Sequence, residues 1–192
     1  MAQQRPEQEL ELQSLMWGFG TLTRMAGNLW SNKKDPSMST MDKIMFQPYT
    51  DHDAKLTLEE LAEREGIKTE KHIVITEDGY HLTVYHLQTP GLKPGSPVAF
   101  MQHGLFSSAD TWISRQSLSP AVRAAKAGYD VWLGNNRGTK YAREHNTLKA
   151  TKDYSKYFDY SYFELGKFDA PAQIDFVRHK TGQDKVTWIG HS

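Results

Sequence analysis

The stretch Gly190-His191-Ser192 has the residue types and spacing that could do covalent chemistry. A β-prone run, residues 185–189, leads directly into Gly190, which makes the stretch the first half of a Gly-x-Ser-x-Gly nucleophile elbow. In such an elbow the chain turns sharply from a strand, and glycines beside the serine remove Cβ atoms that would clash in the turn. Ser192 is therefore the candidate nucleophile, and His191 is expected to point away from its hydroxyl.

A second stretch, His103-Gly104-Leu105, follows an apolar run at residues 98–102. An ester hydrolase needs a nucleophile with a base, a group that orients the base, and N–H donors for the tetrahedral oxyanion. A glycine after an early strand lets the backbone approach the substrate closely. The Leu105 N–H is the candidate oxyanion donor, and His103 and Gly104 form its supporting loop.

The acid and the histidine of a triad are not found in this chain. In this fold they follow the serine in chain order, and no residue follows Ser192. Asp169 and Asp175 precede it, and their contexts favour a helix N-cap and a solvated helix position. The sequence therefore predicts an α/β-hydrolase fold truncated at the elbow, inactive as an isolated chain.

Composition gives no sign of a metal, a cofactor or a nucleic-acid partner. Lys plus Arg and Asp plus Glu are balanced at 23 each, and there is no cysteine. His81 and His86, five apart, would face opposite sides of a strand, and Asp51-His52-Asp53 resembles a solvated turn. With no signal peptide and no N-glycosylation sequon, an intracellular location is favoured.

Several elements are expected to position these residues. A capping box at Thr57 and Glu60 begins a short helix to Glu65, and Asp78-Gly79 predicts a hairpin between residues 72–76 and 81–87. A strand then follows at residues 98–102, which is expected to be buried on both faces, and after it come a helix at 117–127 and a strand at 129–133. This alternation predicts a mostly parallel α/β sheet after a leading β-hairpin.

The remaining segments are less regular. Residues 141–160 are expected to form a loop or short helices, and a helix from Asp169 to Gly182 is expected to face inward through Ala170, Ile174 and Val177. Residues 1–56 are interpreted as a partly disordered extension. It includes an amphipathic segment, residues 12–29, in which ordinary packing is favoured over contact with a lipid interface. Residues 57–192 are interpreted as an incomplete α/β-hydrolase domain.

Four stretches together resemble the acid lipase family of gastric and lysosomal lipases and steryl ester hydrolases. They are residues 102–112 (QHGLFSSADTW), 127–138 (AGYDVWLGNNRG), 167–176 (KFDAPAQIDF) and 189–192 (IGHS). The resemblance implies an α/β-hydrolase fold and hydrolysis of a lipid ester, a triacylglycerol or a steryl ester, through an acyl-enzyme. It assigns the nucleophile to Ser192 and the oxyanion hole to Leu105.

Two other functions remain open. The elbow and the oxyanion loop do not select the acyl group, so a thioesterase or a general carboxylesterase has the same motifs. A non-catalytic module that binds a lipid surface or a partner through residues 12–29 is the third possibility.

Overall fold

The computed structural model describes residues 56–192, and its first element is the short helix α1 (Leu58–Arg64). The Thr57 hydroxyl accepts a hydrogen bond from the Glu60 N–H at 3.2 Å, and the Glu60 carboxylate accepts one from the Thr57 N–H at 2.7 Å. Gly66, with φ of 73°, follows the end of the helix. The predicted capping box is confirmed.

A six-stranded sheet follows, with β1 (Lys68–Ile75) and β6 (Thr187–Gly190) at its two edges. The strand order is β1-β2-β4-β3-β6, where β2 is Tyr80–Gln88, β3 is Val98–Gln102 and β4 is Asp130–Gly134. The two-residue strand β5 (Glu144–His145) pairs with β2.

The strand directions match the predicted fold. Strands β1 and β2 form an antiparallel hairpin whose turn contains Gly79 at φ of 97°, and β2 is also antiparallel to β4. Strand β3 runs parallel to both β4 and β6. All five residues of β3 are buried, as expected for a strand covered on both faces. The leading hairpin followed by a parallel sheet is confirmed.

Helices cover both faces of this sheet. Helix α2 (Pro120–Lys126) follows two 3₁₀ turns, Ala109–Trp112 and Gln116–Leu118. Later come α3 (Tyr154–Tyr157), α4 (Tyr162–Glu164), a π-helical turn (Leu165–Asp169) and α5 (Ala170–Thr181), which ends at Gly182 with φ of 67°. This helical end at Gly182 was predicted.

Two apolar clusters lie on opposite faces of the sheet. The first joins α1 and α2 to side chains of β2, β3 and β4, including Leu61, Val122, Tyr85, Met101 and Leu133. The second joins α5 to the alternate side chains of the same strands, including Val177, Val84, Phe100 and Trp132. The alternation follows from the two-residue period of a strand and gives the layered α/β architecture.

Some local predictions need correction. Residues 141–160 contain the short strand β5 as well as α3. Asp169 is not an N-cap: its backbone is helical and its side chain makes no capping hydrogen bond, because α4, the π-helical turn and α5 follow one another without a break. The inward face of α5 includes Val177 but also the polar Gln173, while Ile174 is only half-buried.

Two predictions lie outside the described residues: the amphipathic segment 12–29 and the turn at Asp51-His52-Asp53. Both stay predictions, as do the proposed domain limits. Within residues 56–192, every helix is too short or too polar to cross a bilayer.

Candidate active site

Ser192 follows the edge strand β6 at the carboxyl ends of the parallel strands. Gly190 pairs with Gln102, the last residue of β3. The His191 N–H then donates to the Gln102 carbonyl at 3.1 Å, which holds the start of the elbow against β3. Ser192 has a φ of 60°, a left-handed conformation that is uncommon for a residue with a side chain. A nucleophile elbow has strained backbone of this kind at its serine.

The loop after β3 contacts this elbow directly at Gly104. A Cβ atom added to Gly104 would lie 2.8 Å from the Ser192 Cβ and 2.8 Å from the His191 carbonyl oxygen. Carbon atoms in contact are normally about 3.5–4.0 Å apart. Only glycine therefore allows the two loops to approach this closely. The predicted approach of the Gly104 backbone to a substrate stays a prediction.

The residues after Gly104 form an exposed turn. The Ser107 N–H donates to the Gly104 carbonyl at 3.2 Å. Leu105 and Phe106 are 65% and 100% exposed, and Phe106 has a left-handed φ of 58°. No hydrogen bond of the described part of the chain uses the Leu105 N–H. The turn thus offers a free backbone donor and two exposed apolar side chains directly after Gly104, the residue that approaches Ser192.

His103 is buried and uses both ring nitrogens within the loop. Its Nδ1 lies 2.8 Å from the Gly104 carbonyl oxygen, and its Nε2 accepts from the Asn136 N–H at 3.2 Å. A carbonyl only accepts, so Nδ1 carries the hydrogen and the ring is neutral. Burial lowers the pKa of His103, although the bond to Gly104 opposes that shift. His103 therefore joins the loops after β3 and β4 and is not free to act as a base.

Ser192 has no base beside it in the described range. Across residues 56–192, no histidine or carboxylate forms a hydrogen bond with its hydroxyl. The His191 ring lies near Gly104, with Nδ1 3.2 Å from the position of an added Cβ there. The described residues can thus present a nucleophile and an oxyanion donor, but they do not activate the hydroxyl.

A buried ion cluster that the sequence reasoning missed supports the loop after β4. Arg137, 3% exposed, donates through its backbone N–H and Nε to Asp169, each at 2.8 Å. Its terminal nitrogens donate to the Asp78 carboxylate at 2.6 and 2.9 Å. Although desolvation opposes it, hydrogen bonding to Arg137 holds the pKa of Asp78 below its ordinary value. The cluster connects the β1–β2 turn, the loop after β4 and the start of α5.

A second junction in the same loop centres on Asn135, which is fully buried. Its side chain accepts from the Ala109 N–H and donates to the Thr83 carbonyl, both at 2.9 Å. Its backbone N–H donates to Gln173 Oε1 at 3.0 Å. The polar sequence Gly-Asn-Asn-Arg-Gly after an apolar strand could have marked this loop as a candidate polar junction. It does not show which distant groups these residues contact.

Two family models match this chain. The partial α/β-hydrolase lipase region matches residues 58–116, and the α/β-hydrolase fold model matches residues 97–192. The second match covers half of the chain and includes the Gly104 loop and Ser192.

Several lipases are similar to this chain over much of its length. Lipase member M of Mus musculus is 42% identical over 147 residues, 74% of this chain and 34% of that protein. The human lysosomal acid lipase/cholesteryl ester hydrolase is 36% identical over 147 residues, 74% of this chain and 36% of that protein. Human gastric triacylglycerol lipase is 44% identical over 132 residues, 66% of this chain and 33% of that protein. The chain thus spans about a third of the length of these relatives.

Among solved structures, an esterase of Pyrococcus furiosus aligns with a TM-score of 0.47 and 16% identity, over 67% of this chain and 42% of that one. The family matches and the lipase relatives agree with the predicted resemblance. The chain belongs to the α/β-hydrolase fold family, and its similarity to lipases bears out the predicted resemblance to acid lipases.

Proposed function

We propose that the whole protein containing this chain is a serine ester hydrolase whose substrates are lipid esters, triacylglycerols or steryl esters. The main observation behind this proposal is the contact between the Gly104 loop and Ser192: a Cβ added to Gly104 would lie 2.8 Å from the serine Cβ. Two facts support the proposal: Leu105, whose N–H makes no hydrogen bond within residues 56–192, directly follows this contact, and Ser192 has left-handed backbone. A nucleophile and an oxyanion donor must share one small volume for acyl transfer.

In the proposed reaction, Ser192 Oγ attacks the ester carbonyl carbon, the ester C–O bond breaks and the acyl-enzyme forms. The hydroxyl proton passes to the leaving alcohol through a base that residues 56–192 do not provide. The Leu105 N–H donates to the oxygen that becomes negative in the tetrahedral intermediate. Gly104 allows that donor to come close, Gly190 and His191 form the elbow, and His103 holds the loop. Water then releases the fatty acid.

The surroundings of Ser192 support an apolar substrate. Leu105 and Phe106 extend into solvent on one side, and Trp188 of β6 is 40% exposed. Exposed apolar side chains in the segments on either side of the candidate nucleophile are suited to bind an acyl chain. The similarity to a triacylglycerol lipase and to a cholesteryl ester hydrolase favours the same substrate class.

The decisive experiment compares substrates with the protein expressed from the complete gene. We expect release of fatty acid from trioleoylglycerol or cholesteryl oleate that Ser192→Ala abolishes. Faster turnover of an acyl thioester or of short, soluble esters would instead favour a thioesterase or a general carboxylesterase. Lipid hydrolysis that survives Ser192→Ala would refute the assignment of the nucleophile.

The 192-residue chain itself is expected to be inactive toward p-nitrophenyl butyrate, because the described residues place no base at Ser192. Turnover that disappears on Ser192→Ala would contradict this expectation. For the lipid-surface alternative, vesicle flotation of the chain with and without residues 1–56 gives the test, and equal flotation would exclude a role for residues 12–29.

A further inference from the structure

Three possible metal ligands meet across the hairpin, at the sheet edge opposite β6. Glu70 and His72 lie on β1, and His86 lies on β2 directly opposite Glu70. One ligand atom from each residue lies within 4.8 Å of the other two. Pairs along a single strand do not reveal this group, because its members come together only through cross-strand pairing.

The distances are close to those of a coordinated metal. His72 Nε2 lies 3.4 Å from Glu70 Oε1, and His86 Nδ1 lies 3.9 Å from Glu70 Oε2. Tetrahedral Zn²⁺ with bonds of about 2.0–2.1 Å keeps neighbouring ligand atoms about 3.4 Å apart. Closing the group onto one ion thus requires only small side-chain movements.

A carboxylate selects the ligating form of His86. Asp130 Oδ1 lies 2.6 Å from His86 Nε2. An ionised carboxylate only accepts, so Nε2 carries the hydrogen, and in the neutral ring Nδ1 keeps a free lone pair facing Glu70. A carboxylate behind a ligating histidine is the usual arrangement at protein metal sites.

His72 supplies a second free nitrogen. Its Nε2 is buried and has no hydrogen-bond partner in the described part of the chain, which costs free energy unless some group occupies the space. A neutral imidazole is the form that binds metals.

The surrounding side chains hold the ligands in place. The His86 ring stacks on Trp132 at 4.1 Å between centroids, and the His72 ring lies on the same indole at 5.4 Å. Gln88 donates to Glu70 Oε2 at 2.9 Å and orients that carboxylate. Glu70 is 48% exposed, so solvent can reach the group and provide a further ligand.

We propose that Glu70, His72 and His86 bind one divalent transition-metal ion of the Zn²⁺ class, with Asp130 fixing His86 in its ligating tautomer. Two imidazoles and one carboxylate favour such ions over Mg²⁺ or Ca²⁺, which prefer oxygen ligands. Glu70 and Asp130 bring two negative charges, and Lys180 nearby brings one positive charge. The bound ion links the edge strand β1 to β2, and its binding stabilises the folded chain.

The test is a titration of the tag-free, EDTA-treated chain with ZnCl₂ near pH 7.5, followed by calorimetry and by thermal unfolding. We expect one high-affinity site that involves these residues, and a Tm that rises with Zn²⁺ concentration. Glu70→Gln and His86→Gln should each weaken binding by at least about tenfold, and Asp130→Asn by about 10- to 100-fold. His81→Gln, on the same strand as His86 but outside the group, should leave the affinity unchanged.

Glu70→Gln is the critical variant, because Glu70 is exposed and its replacement leaves the apolar core intact. Unchanged Zn²⁺ affinity in Glu70→Gln would overturn the proposal, as would the absence of both heat and a Tm shift at excess ZnCl₂. If neither heat nor a Tm shift is seen, the buried Nε2 of His72 is explained by a bridging water instead of a metal ion. None of these measurements uses enzymatic activity, so they are independent of the proposed ester hydrolysis.

Discussion

At Gly104 the backbone lies so close to Ser192 that a side chain at position 104 would not fit. We predict that Gly104→Ala, whose Cβ would lie 2.8 Å from both Ser192 Cβ and the His191 carbonyl, destabilises the chain by about 1–3 kcal/mol. In the protein from the complete gene, lipid ester turnover should fall in parallel. Urea unfolding and fatty-acid release measure the two effects.

Gly166 provides the matched control for this substitution. It lies in helical backbone, and an added Cβ there meets no atom within 4 Å. Gly166→Ala should therefore leave both stability and turnover within experimental error or improve stability slightly. Equal losses in the two variants would show that the close approach at Gly104 is not the cause.

His103 should make the loop sensitive to acid. Because burial lowers its pKa in the folded chain below the ordinary value of 6.5, the unfolded chain binds more protons below that pH. The stability that His103 contributes is therefore complete above about pH 6.5 and falls as the pH drops toward its folded pKa. Urea unfolding between about pH 5 and 7.5 should show a smaller loss on acidification in His103→Gln than in the unmodified chain.

His72 provides the internal comparison for that experiment, since burial lowers its pKa as well. His72→Gln should remove a separate part of the pH dependence, and the two effects should add, because the residues lie in different parts of the sheet. A pH profile that His103→Gln leaves unchanged would contradict the assignment of a buried neutral ring at that position.

At the scale of the elements, the ion cluster at Arg137 holds together segments that are distant in sequence. The Arg137 side chain is 1% exposed, and replacing it with methionine leaves the fully buried Asp169 carboxylate with the backbone N–H of residue 137 but without the guanidinium charge. We predict that Arg137→Met destabilises the chain by about 3–5 kcal/mol. Chemical denaturation gives the measurement.

The exposed pair of Arg178 and Asp175 on α5 is the comparison, with a separation of 3.0 Å but high exposure of both side chains. Arg178→Met should cost less than about 1 kcal/mol, because solvent screens surface ion pairs. Comparable losses for the two arginines would show that burial does not set the difference.

At the scale of the whole sheet, the two edges differ in chemistry. Strand β1 carries Lys68, Glu70 and Lys71, and charges of this kind discourage pairing with another chain. Strand β6 has the sequence Thr-Trp-Ile-Gly and no charged residue. An uncharged edge in the described chain is a template for edge-to-edge association.

We therefore predict that the 192-residue chain self-associates through β6 as its concentration rises. Trp188→Lys should shift size-exclusion profiles toward the monomer, whereas Thr69→Lys on β1 should leave them unchanged. Association that neither substitution alters would place the contact elsewhere on the surface.

The sequence alone predicted the order of the elements, the capping box at Thr57, the turn at Gly79, the buried strand β3 and the α/β-hydrolase fold. Each depends on residues that are neighbours in the chain, because caps, tight turns and strand periodicity are local properties. The elbow at Ser192 and the loop at Gly104 were proposed from the sequence for the same reason, since each is a short motif, and their catalytic roles stay predictions.

Only the tertiary structure decided which distant residues meet. Asp169 looked like a helix cap, but it is buried against Arg137 because the π-helical turn continues the helix through it. From the sequence, His86 was compared with His81 on the same strand. Its partners in the structure, Glu70 and Asp130, lie on the neighbouring strands β1 and β4. Such pairings depend on strand register and helix phase, which arise from packing the whole sheet rather than from any local run of residues.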